Sequence, residues 1–573
     1  MRGRGAVLAC VFAAAVGLGA CTSDDSSSTA SSAPAATAEA TAAASTTSPS
    51  PLTVSAVTVT PNPNSTLSAS LAFTTSTAAT VDLHIVGPGS DRTEKAQTDP
   101  STDHDIPAVG MRASSTYTIT VTATDEAGQT ASAPPVTFTT GALPPEIPAL
   151  LVKSDPTQMA PGVTLFPITL RAAPPPAAGQ PPPLLGLLVA VDAEGQVVWY
   201  HQAPEPIGDA RMLDDGHILY EYNDMGAREI DVLGNVVREW AGTLELGRLA
   251  KDEYGRTIAG PNAIPVAVDS MHHEIHTMPD GNIITLSTEL KQVSGFTKPM
   301  CGETPDKFTG TYQLISDIVV EFEPDTGKVV HEWHLADYFH PQTNPADSNI
   351  CPFAPAFAVP VFMYTSFGDV KDWTHANAVV FDEKRNALIV SSRHMSAVLA
   401  IRYADDANGT SGDLLWRLGP GGDFTMQGSG ELQYYQHAVE VQDDGSILLY
   451  DNGNMRPGTD LNSPDITKHP YSRAVLFDLD ETNKTVTQKW EMRSLVDGRQ
   501  LWAFFVGDAD HQPNGNILID NGGITDPAGV SSLIQEVQPT GDEGGTVVFE
   551  VRIDGGSYFV YRALRVPTLY GGG

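Results

Sequence analysis

Residues 443–450 read DDGSILLY, in which an acidic turn with a glycine leads into an apolar strand. Four other stretches have the same general form: DDGHILY (214–220), PDGNIITL (279–286), EKRNALIV (383–390) and PNGNILID (513–520). A short polar turn in front of an apolar run, with another strand before it, is typical of a β-hairpin. These five repeats therefore predict five equivalent hairpins.

A second kind of hairpin alternates with the first. It joins an acidic strand end to an apolar strand that contains an aromatic residue, and six copies are present: DAEGQVVWY (192–200), DVLGNVVREW (231–240), EPDTGKVVHEW (323–333), YADDANGTSGDLLWRL (403–418), DLDETNKTVTQKW (478–490) and QPTGDEGGTVVFEV (538–551). One hairpin of each kind makes a four-stranded blade, so five blades are complete, and the sixth takes strands from 558–566 and from near 150–170. We expect an all-β, six-bladed β-propeller over 147–573, because a ring closed by both chain ends has no open edge. The irregular stretch 243–272 could hold a further element.

A smaller all-β region precedes the propeller, from 51 to 142. Its predicted strands alternate apolar and polar residues: LTVSAVTVT (52–60), SASLAFTTS (68–76), ATVDLHIVG (79–87), TYTITVTATD (116–125) and PVTFTT (135–140). Short alternating strands of this kind are typical of a β-sandwich, and 117–125 resembles a late strand of fibronectin III/Ig-like domains. The region has no catalytic constellation, so we expect a spacer or docking domain.

The first fifty residues predict export. Two arginines in MRGRG precede the apolar stretch 6–20, which is too short for an ordinary transmembrane helix. Leu18 to Cys21 resemble a bacterial lipobox, so we expect a signal peptide over 1–20 and a lipidated Cys21 that tethers the exported chain to the cell envelope, on its periplasmic or extracytoplasmic face; a plain secretory signal is the alternative. Residues 21–50 are rich in Ser, Thr and Ala and predict a disordered linker.

The net charge limits the possible partners of the chain, and the cysteine content limits its possible disulfides. The net charge of −36 argues against a nucleic-acid partner, because phosphate binding needs clustered Lys and Arg. Once Cys10 is removed with the signal peptide and Cys21 is lipidated, only Cys301 and Cys351 remain. An exported compartment permits a disulfide between them, which would stabilise the fold by roughly 4 kcal/mol in the chain-entropy model.

Three histidines occupy matching places in three hairpins of the first kind. His273 and His437 each lie eight residues before a turn glycine, and His375 opens a third hairpin that ends on Arg393. Equivalent places in successive blades lie at similar radius and height, so we expect the three imidazoles to converge beside the guanidinium. Imidazoles are common metal ligands, but a permanent cation favours an oxyanion instead, and Asn377 adds a neutral donor on the face of His375.

The segments around these histidines resemble a known family. DWTHANAVVFDEKRNALIVSSRHMSAVLAI (372–401), YYQHAVEVQDDGSILLYDNGNMR (434–456) and YSRAVLFDLDETNKTVTQKWEM (471–492) are similar to bacterial arylsulfate sulfotransferases, and HHEIHTMPDGN (272–282) fits the same pattern. The resemblance covers most of 150–566. It implies ping-pong transfer of a sulfuryl group between phenols, with no nucleotide sulfate donor, no metal and no other cofactor.

The resemblance also implies a role for each residue. His437 would be the nucleophile that becomes sulfated, His375, Arg393 and Asn377 would bind the sulfate oxygens, and His273 would act as acid and then base, as suits a group that titrates near neutrality.

Four other residues have weaker claims to a role in the site. His511, which lies only four residues before its turn glycine, is a candidate at the channel rim, and Tyr435 and Trp373 are candidates for stacking on a phenol ring. His394 follows Arg393 and is expected to be structural. The insert 301–351 and the run that follows it are expected to cover the channel mouth.

Two other classes of function remain open. A metal- or quinone-dependent propeller oxidoreductase or lyase would use the histidines as ligands. A non-catalytic propeller binding module on a lipid-anchored stalk would leave them incidental. A homodimer is compatible with either class and with the transferase.

Overall fold

The computed structural model describes residues 50–170, 186–222, 224–242, 259–299, 306, 308–348, 370–496, 498–526, 529–555 and 558–571. The predicted signal peptide, Cys21, all of the predicted linker except Ser50, and both cysteines of the predicted disulfide lie outside these ranges. Strands dominate the described residues, and their 3₁₀ helices include Leu335–Tyr338, Pro345–Ser348 and Ile466–Lys468. None of the described helices has the length and apolar character needed to cross a membrane.

The N-terminal region forms one hydrogen-bonded set of six strands: β1 (Thr58–Pro61), β2 (Ala69–Gly87), β3 (Ser90–Ala108), β4 (Thr116–Asp125), β5 (Thr130–Ser132) and β6 (Val136–Thr139). The predicted strands 68–76 and 79–87 are one long strand, β2, which pairs with β1 in its first half and with β4 in its second. β3 pairs with β2 along its length and was not predicted, because its residues are mostly polar. Every second residue of β2 and β4 faces a separate apolar core that includes Leu83, Ile85 and Tyr117.

Six further sheets follow. The first sheet holds β8 (Val163–Leu170), β9 (Gly186–Val191) and β10 (Val197–Ala203). The second holds β11 (Ile207–Met212), β12 (Ile218–Tyr222), β13 (Gly226–Ile230), β14 (Val236–Gly242) and β15 (Ile264–Val266). The third holds β16 (His272–Thr277), β17 (Ile283–Ser294), β18 (Thr311–Phe322), β19 (Val329–His334) and β20 (Lys371–Asp372). The next two sheets hold β21 (Ala376–Asp382), β22 (Ala387–Ser392), β23 (Ala397–Arg402) and β24 (Leu414–Leu418); and β25 (Thr425–Gln427), β26 (His437–Val441), β27 (Ile447–Asp451), β28 (Arg473–Asp480) and β29 (Thr485–Met492).

A small hairpin, β30 (Leu495–Val496) and β31 (Arg499–Gln500), precedes the last sheet. That sheet holds β32 (Ala503–Phe505), β33 (Asp508–His511), β34 (Ile517–Asp526), β35 (Gly529–Pro539) and β36 (Gly545–Ile553), with β7 (Leu151–Ser154) added to β36. The chain then returns to the first of the six sheets, where β37 (Tyr558–Val560) and β38 (Leu564–Val566) pair with β8.

These pairings match the predicted hairpins. The five hairpins of the first kind are the turns β11–β12, β16–β17, β21–β22, β26–β27 and β33–β34. The six of the second kind are β9–β10, β13–β14, β18–β19, β23–β24, β28–β29 and β35–β36. The described part of 243–272 contributes β15, which lies parallel to β14 and extends an existing sheet.

Contacts between the sheets run in a cycle. The first strands touch in the order β11, β16, β21, β26 and β33, while β37 touches β34 and β35, and β8 touches β11. The predicted all-β propeller, preceded by a small β domain, is therefore confirmed as the fold class. The prediction of six blades is consistent with the six sheets among the described residues, and both chain ends contribute to the closing sheet as predicted.

The N-terminal domain lies against the first hairpins of the propeller. Arg112 pairs with Asp192 at 2.6 Å and with Glu194 at 2.7 Å. The backbone N–H of Val109 donates to the hydroxyl of Tyr570 at 3.1 Å, and the Val109 side chain is buried in a propeller core.

Candidate active site

The three predicted histidines lie where the first strand of a sheet begins, and each is next to a break in the strand register. The register shifts between His272 and Ile275, between Ala376 and Ala378, and between His437 and Glu440. His273 and His375 have positive φ angles of 63° and 44°. Bulges re-aim side chains, and strained backbone concentrates at functional sites. The local backbone thus turns these side chains out of the regular alternation.

The three imidazoles converge. The ring of His273 lies 5.1 Å from that of His375 and 6.4 Å from that of His437, centroid to centroid. All three side chains are buried. His273, and not its neighbour His272, is the residue between the other two, as the eight-residue spacing predicted.

His437 has an amide as its partner. Its Nδ1 lies 2.7 Å from Oδ1 of Asn452. Burial, followed by the charge of Arg393, holds the pKa of His437 well below its ordinary value, although the Asn452 hydrogen bond opposes this. The imidazole is therefore neutral at neutral pH, with a lone pair available for attack.

His375 has a carboxylate as its partner. Its Nδ1 lies 2.5 Å from Oδ2 of Asp372. Burial and then the charge of Arg393 lower the pKa of His375 to about 3, and burial raises the pKa of Asp372 to about 7. The two groups share protons, so they titrate as a pair. His394 was expected to point to the opposite face, but it stacks on His375 with a ring separation of 4.5 Å.

His273 has a second imidazole as its partner. Its Nδ1 lies 2.8 Å from Nδ1 of His272, whose Nε2 lies 3.3 Å from the carboxylate of Asp317. Burial lowers the pKa of His272, but the nearby carboxylate of Asp317 outweighs it and raises that pKa overall. Burial and the charge of His272 hold the pKa of His273 well below its ordinary value. These shifts run against the expectation that His273 titrates near neutrality, and they make His272 the member of the pair that binds a proton more readily.

Whenever His272 is protonated, the contact between the two imidazoles determines which nitrogen of His273 carries hydrogen. A protonated His272 donates through Nδ1, so Nδ1 of His273 accepts and its hydrogen is on Nε2. His273 can thus donate a hydrogen bond while neutral, and can receive a proton from His272 when negative charge develops beside it.

Arg393 supplies a buried cation. Its Nη2 donates to the carbonyl of Phe504 at 2.8 Å, its backbone N–H donates to the carbonyl of His375 at 3.0 Å, and its guanidinium carbon lies 5.2 Å from the Tyr435 ring centroid. Burial lowers its pKa to about 10, which still leaves it charged at neutral pH. Its Nε has no hydrogen-bond partner among the described residues. A buried, partly unsatisfied guanidinium beside neutral imidazoles favours an anionic ligand.

Two residues of the site were not predicted from the sequence, because they belong to the segment 558–566 that closes the ring of sheets. The Tyr561 ring lies 5.8 Å from that of His273, and its buried hydroxyl has no hydrogen-bond partner in the described part of the chain. Arg562 donates to the carbonyl of Asn377 at 3.0 Å and pairs with Asp209 at 3.1 Å and with Glu274 at 2.8 Å. The segment 558–566 was recognised only as a strand, and nothing in it signals the site.

The other predicted residues fall into two groups. Asn377 and Tyr435 are buried at the site: Nδ2 of Asn377 donates to the carbonyl of Gln436 at 2.8 Å, and Tyr435 lies beneath Arg393. Trp373 and His511 are placed elsewhere. Trp373 is fully buried in a core beside Phe296 and Phe339, and His511 is exposed at the end of β33, whereas the three histidines lie where strands begin.

Two groups of described residues have donor types close enough for a metal ion: Asp372, His375 and His394, and Asp215, His217 and Glu229. In the first, the 2.5 Å contact between Asp372 and His375 is a hydrogen bond, and the charge of Arg393 lowers the pKa of both histidines. In the second, Arg238 pairs with Glu229 at 2.7 Å. The carboxylates of Asp372 and Glu229 therefore already have partners within the protein.

Solved structures with similar folds are distant. A protein of unknown function from Bacteroides caccae covers 70% of this chain and 98% of its own at 13% identity and a TM-score of 0.35. The periplasmic gluconolactonase of Pseudomonas aeruginosa covers 70% of this chain and 100% of its own at 9% identity and a TM-score of 0.32. Both scores are too low to bear on function.

Sequence comparison is more specific. Curated arylsulfate sulfotransferases from Escherichia coli O6:H1 and Lelliottia amnigena are 25% and 28% identical over 191 and 159 residues, which are 28% and 22% of this chain. The matched parts span only 30% and 25% of the length of those relatives. The model of the arylsulfotransferase (ASST) family matches residues 183–562, and that of the arylsulfotransferase Ig-like domain matches residues 56–141. Most of the propeller, including its three histidines, thus lies within the matched region, and the chain belongs to the arylsulfotransferase family.

Proposed function

We propose that the protein transfers a sulfuryl group from an aryl sulfate to a phenolic acceptor by a ping-pong mechanism, with His437 as the residue that is sulfated and no nucleotide donor. The observation that supports this most is that a buried His437, hydrogen-bonded to Asn452 and within 6.4 Å of His273, lies in the electrostatic field of the buried cation Arg393. A histidine nucleophile beside a guanidinium suits a substrate whose reacting centre is anionic.

In the first half-reaction, the lone pair on Nε2 of His437 attacks sulfur, and the bond between sulfur and the aryl oxygen breaks. The bonding electrons leave on the phenolate oxygen, which takes the Nε2 proton of His273. His272 resupplies that proton across the 2.8 Å contact between the two Nδ1 atoms. The products are a phenol and a sulfated His437.

In the second half-reaction, an acceptor phenol gives its proton to His273, and its oxygen attacks the same sulfur. The bond between sulfur and Nε2 breaks, and the electron pair returns to His437. The proton returns along the same path to His272. Both imidazoles end in their starting state, so the cycle needs no outside proton.

Arg393 and His375 supply the electrostatic stabilisation. Arg393 brings a fixed positive charge with an unpartnered Nε, and the Asp372–His375 pair offers a hydrogen on Nε2 of His375 whenever the pair holds two protons. Preorganised donors around a developing charge usually supply the largest part of catalysis.

The test measures nitrophenolate release from 4-nitrophenyl sulfate, with and without phenol and without nucleotide. We expect release that depends on phenol and that is lost in His437→Ala. His511→Ala serves as the control, because that side chain is exposed at the other end of a channel strand. Release that ignores phenol would mean hydrolysis at the same site, and full activity in His437→Ala would reject the proposal.

A further inference from the structure

The hydrogen-bonding capacity of Asn452 determines the tautomer of the proposed nucleophile. Its Nδ2 lies 2.7 Å from the carbonyl of Ala503 and 2.8 Å from that of Val506. Carbonyl oxygens only accept, so the NH₂ end of the amide must face them, and Oδ1 must face His437. Because Oδ1 also only accepts, Nδ1 of His437 carries the hydrogen. Nε2 therefore holds the lone pair.

The amide is held firmly in this orientation. Asn452 is fully buried. Its backbone carbonyl accepts from the hydroxyl of Ser472 at 2.8 Å, and it follows directly after β27. Neither rotation of the side chain nor exchange of its two ends is compatible with both carbonyl partners.

The partner of His437 also differs in charge from the partner of His375. A carboxylate, Asp372, contacts Nδ1 of His375, whereas a neutral amide contacts Nδ1 of His437. The difference matters after sulfuryl transfer. An imidazole that carries a sulfuryl group on Nε2 and a hydrogen on Nδ1 has a positively charged ring beside the negative sulfonate, and it leaves as neutral imidazole. If a carboxylate removed the Nδ1 hydrogen, the leaving group would be the far more basic imidazolate.

We propose that Asn452 is a positioning residue that keeps the proton on Nδ1 of His437 throughout the sulfated intermediate, so that the second half-reaction expels a neutral imidazole. The inference rests on the proposed function. When the acceptor oxygen attacks, the sulfur–Nε2 bond breaks and its electron pair returns to Nε2, while the Nδ1 proton never leaves the hydrogen bond to Asn452.

The experiment compares Asn452→Asp with the unmodified protein in rapid-mixing measurements with 4-nitrophenyl sulfate. We expect the first burst of nitrophenolate to persist, because a carboxylate does not hinder attack by Nε2. We expect steady turnover with phenol to fall by about tenfold or more, and sulfated protein to accumulate, as seen by intact mass. Turnover should recover as the pH falls, because a protonated carboxyl group again leaves the hydrogen on Nδ1.

Two further variants separate this role from a structural one. Asn454→Asp is the matched control: Asn454 holds the same loop through the Phe504 carbonyl at 2.7 Å and Trp502 Nε1 at 2.8 Å, without touching His437, so the ratio of burst to turnover should be unchanged. Asn452→Ala should slow both half-reactions without accumulation of sulfated protein.

Two outcomes would overturn the inference, and they can be told apart. If burst and turnover of Asn452→Asp fall together and do not recover at lower pH, Asn452 is only structural and the inference is overturned. If the unmodified protein gives no phenol-dependent release at all, the proposed function fails and the inference fails with it.

Discussion

The three central histidines differ in the partner of one nitrogen. His437 contacts an amide, His375 a carboxylate and His273 a second imidazole. The partner of one ring nitrogen sets the state of the other. The far nitrogen of His437 keeps a lone pair, that of His375 follows the protonation of Asp372, and that of His273 carries hydrogen when His272 is protonated. These differences suit the proposed roles of nucleophile, anion binder and acid.

The contribution of His272 to the rate should grow with the basicity of the phenolate that leaves. In His272→Gln the proton store is lost, so kcat/KM for phenyl sulfate should fall by roughly 10²-fold, while 4-nitrophenyl sulfate, whose phenolate leaves without protonation, should lose much less. His276→Gln, on the same strand, is the control. Equal losses for both esters, measured in steady-state assays, would show that His272 does not supply the proton.

The Asp372–His375 pair should make sulfate binding depend on pH. Burial raises the pKa of Asp372 to about 7. Below that pH the pair holds two protons and Nε2 of His375 carries a hydrogen for the anion; above it, one proton remains between the partners and Nε2 presents a lone pair. Inhibition by inorganic sulfate should therefore weaken as the pH rises through about 7. In Asp372→Asn the amide does not titrate, so the profile should become flat; an unchanged profile in this variant would assign the titration to another group.

The sequence predicted the groups that would act directly in the proposed reaction, and it did not predict those that would act through them. The repeated spacing before the turn identified His273 and His437, because a repeat fold places equal positions at equal depth. Asn452, His272 as proton store, Asp372 and Arg562 have no such repeat, since each supports one residue only. Trp373 and His511 were predicted at the site but lie elsewhere. The position of a residue in a hairpin does not reveal whether its side chain faces the site, a core or solvent.

At the scale of strands, the hairpin periodicity was enough to predict the propeller and its closure. The alternation of two turn types predicted every hairpin of the first and second kinds, because each needs its own turn residues and an apolar strand. The prediction missed β3, whose mostly polar residues lack an apolar pattern, and it divided β2 in two. The register breaks that aim the histidines also have no periodic signature.

Arg562 should anchor the closing strands. Its buried guanidinium pairs with Asp209 and Glu274, which share Arg211 as their other cation. Removal of one partner from a buried ion pair typically costs about 3–5 kcal/mol, so Arg562→Met should lower the free energy of unfolding in urea by about that amount. Arg552→Met, in which a more exposed pair with Asp554 is lost, should cost less than about 1 kcal/mol. Equal effects would mean that the ion pair does not secure the closing segment.

At the scale of the molecule, the Ig-like domain shares its core contacts with the propeller. Leu67 packs among propeller residues such as Phe166 and Val189, and Val109 packs with Leu165 and Tyr220. Thr66 also bonds to the hydroxyl of Tyr200 through its backbone N–H at 2.9 Å. An apolar interface of this kind favours joint unfolding over independent motion.

Calorimetry should accordingly show one unfolding transition for residues 52–573. Val109→Asp places an unpaired charge in the shared core and should split that transition into two. Val86→Asp is the control, because Val86 is 38% exposed on the same domain. Two transitions in the unmodified protein, or one in Val109→Asp, would contradict this.

The pairing of β8 with β37 and β38 has a consequence for biosynthesis. At about 5–20 residues per second, the ribosome completes β8 on the order of tens of seconds before β37 and β38 emerge. Until then one edge of β8 is unpaired, and the segment that carries Tyr561 and Arg562 is missing from the centre. A nascent chain interrupted before residue 558 should thus be both prone to aggregation and inactive.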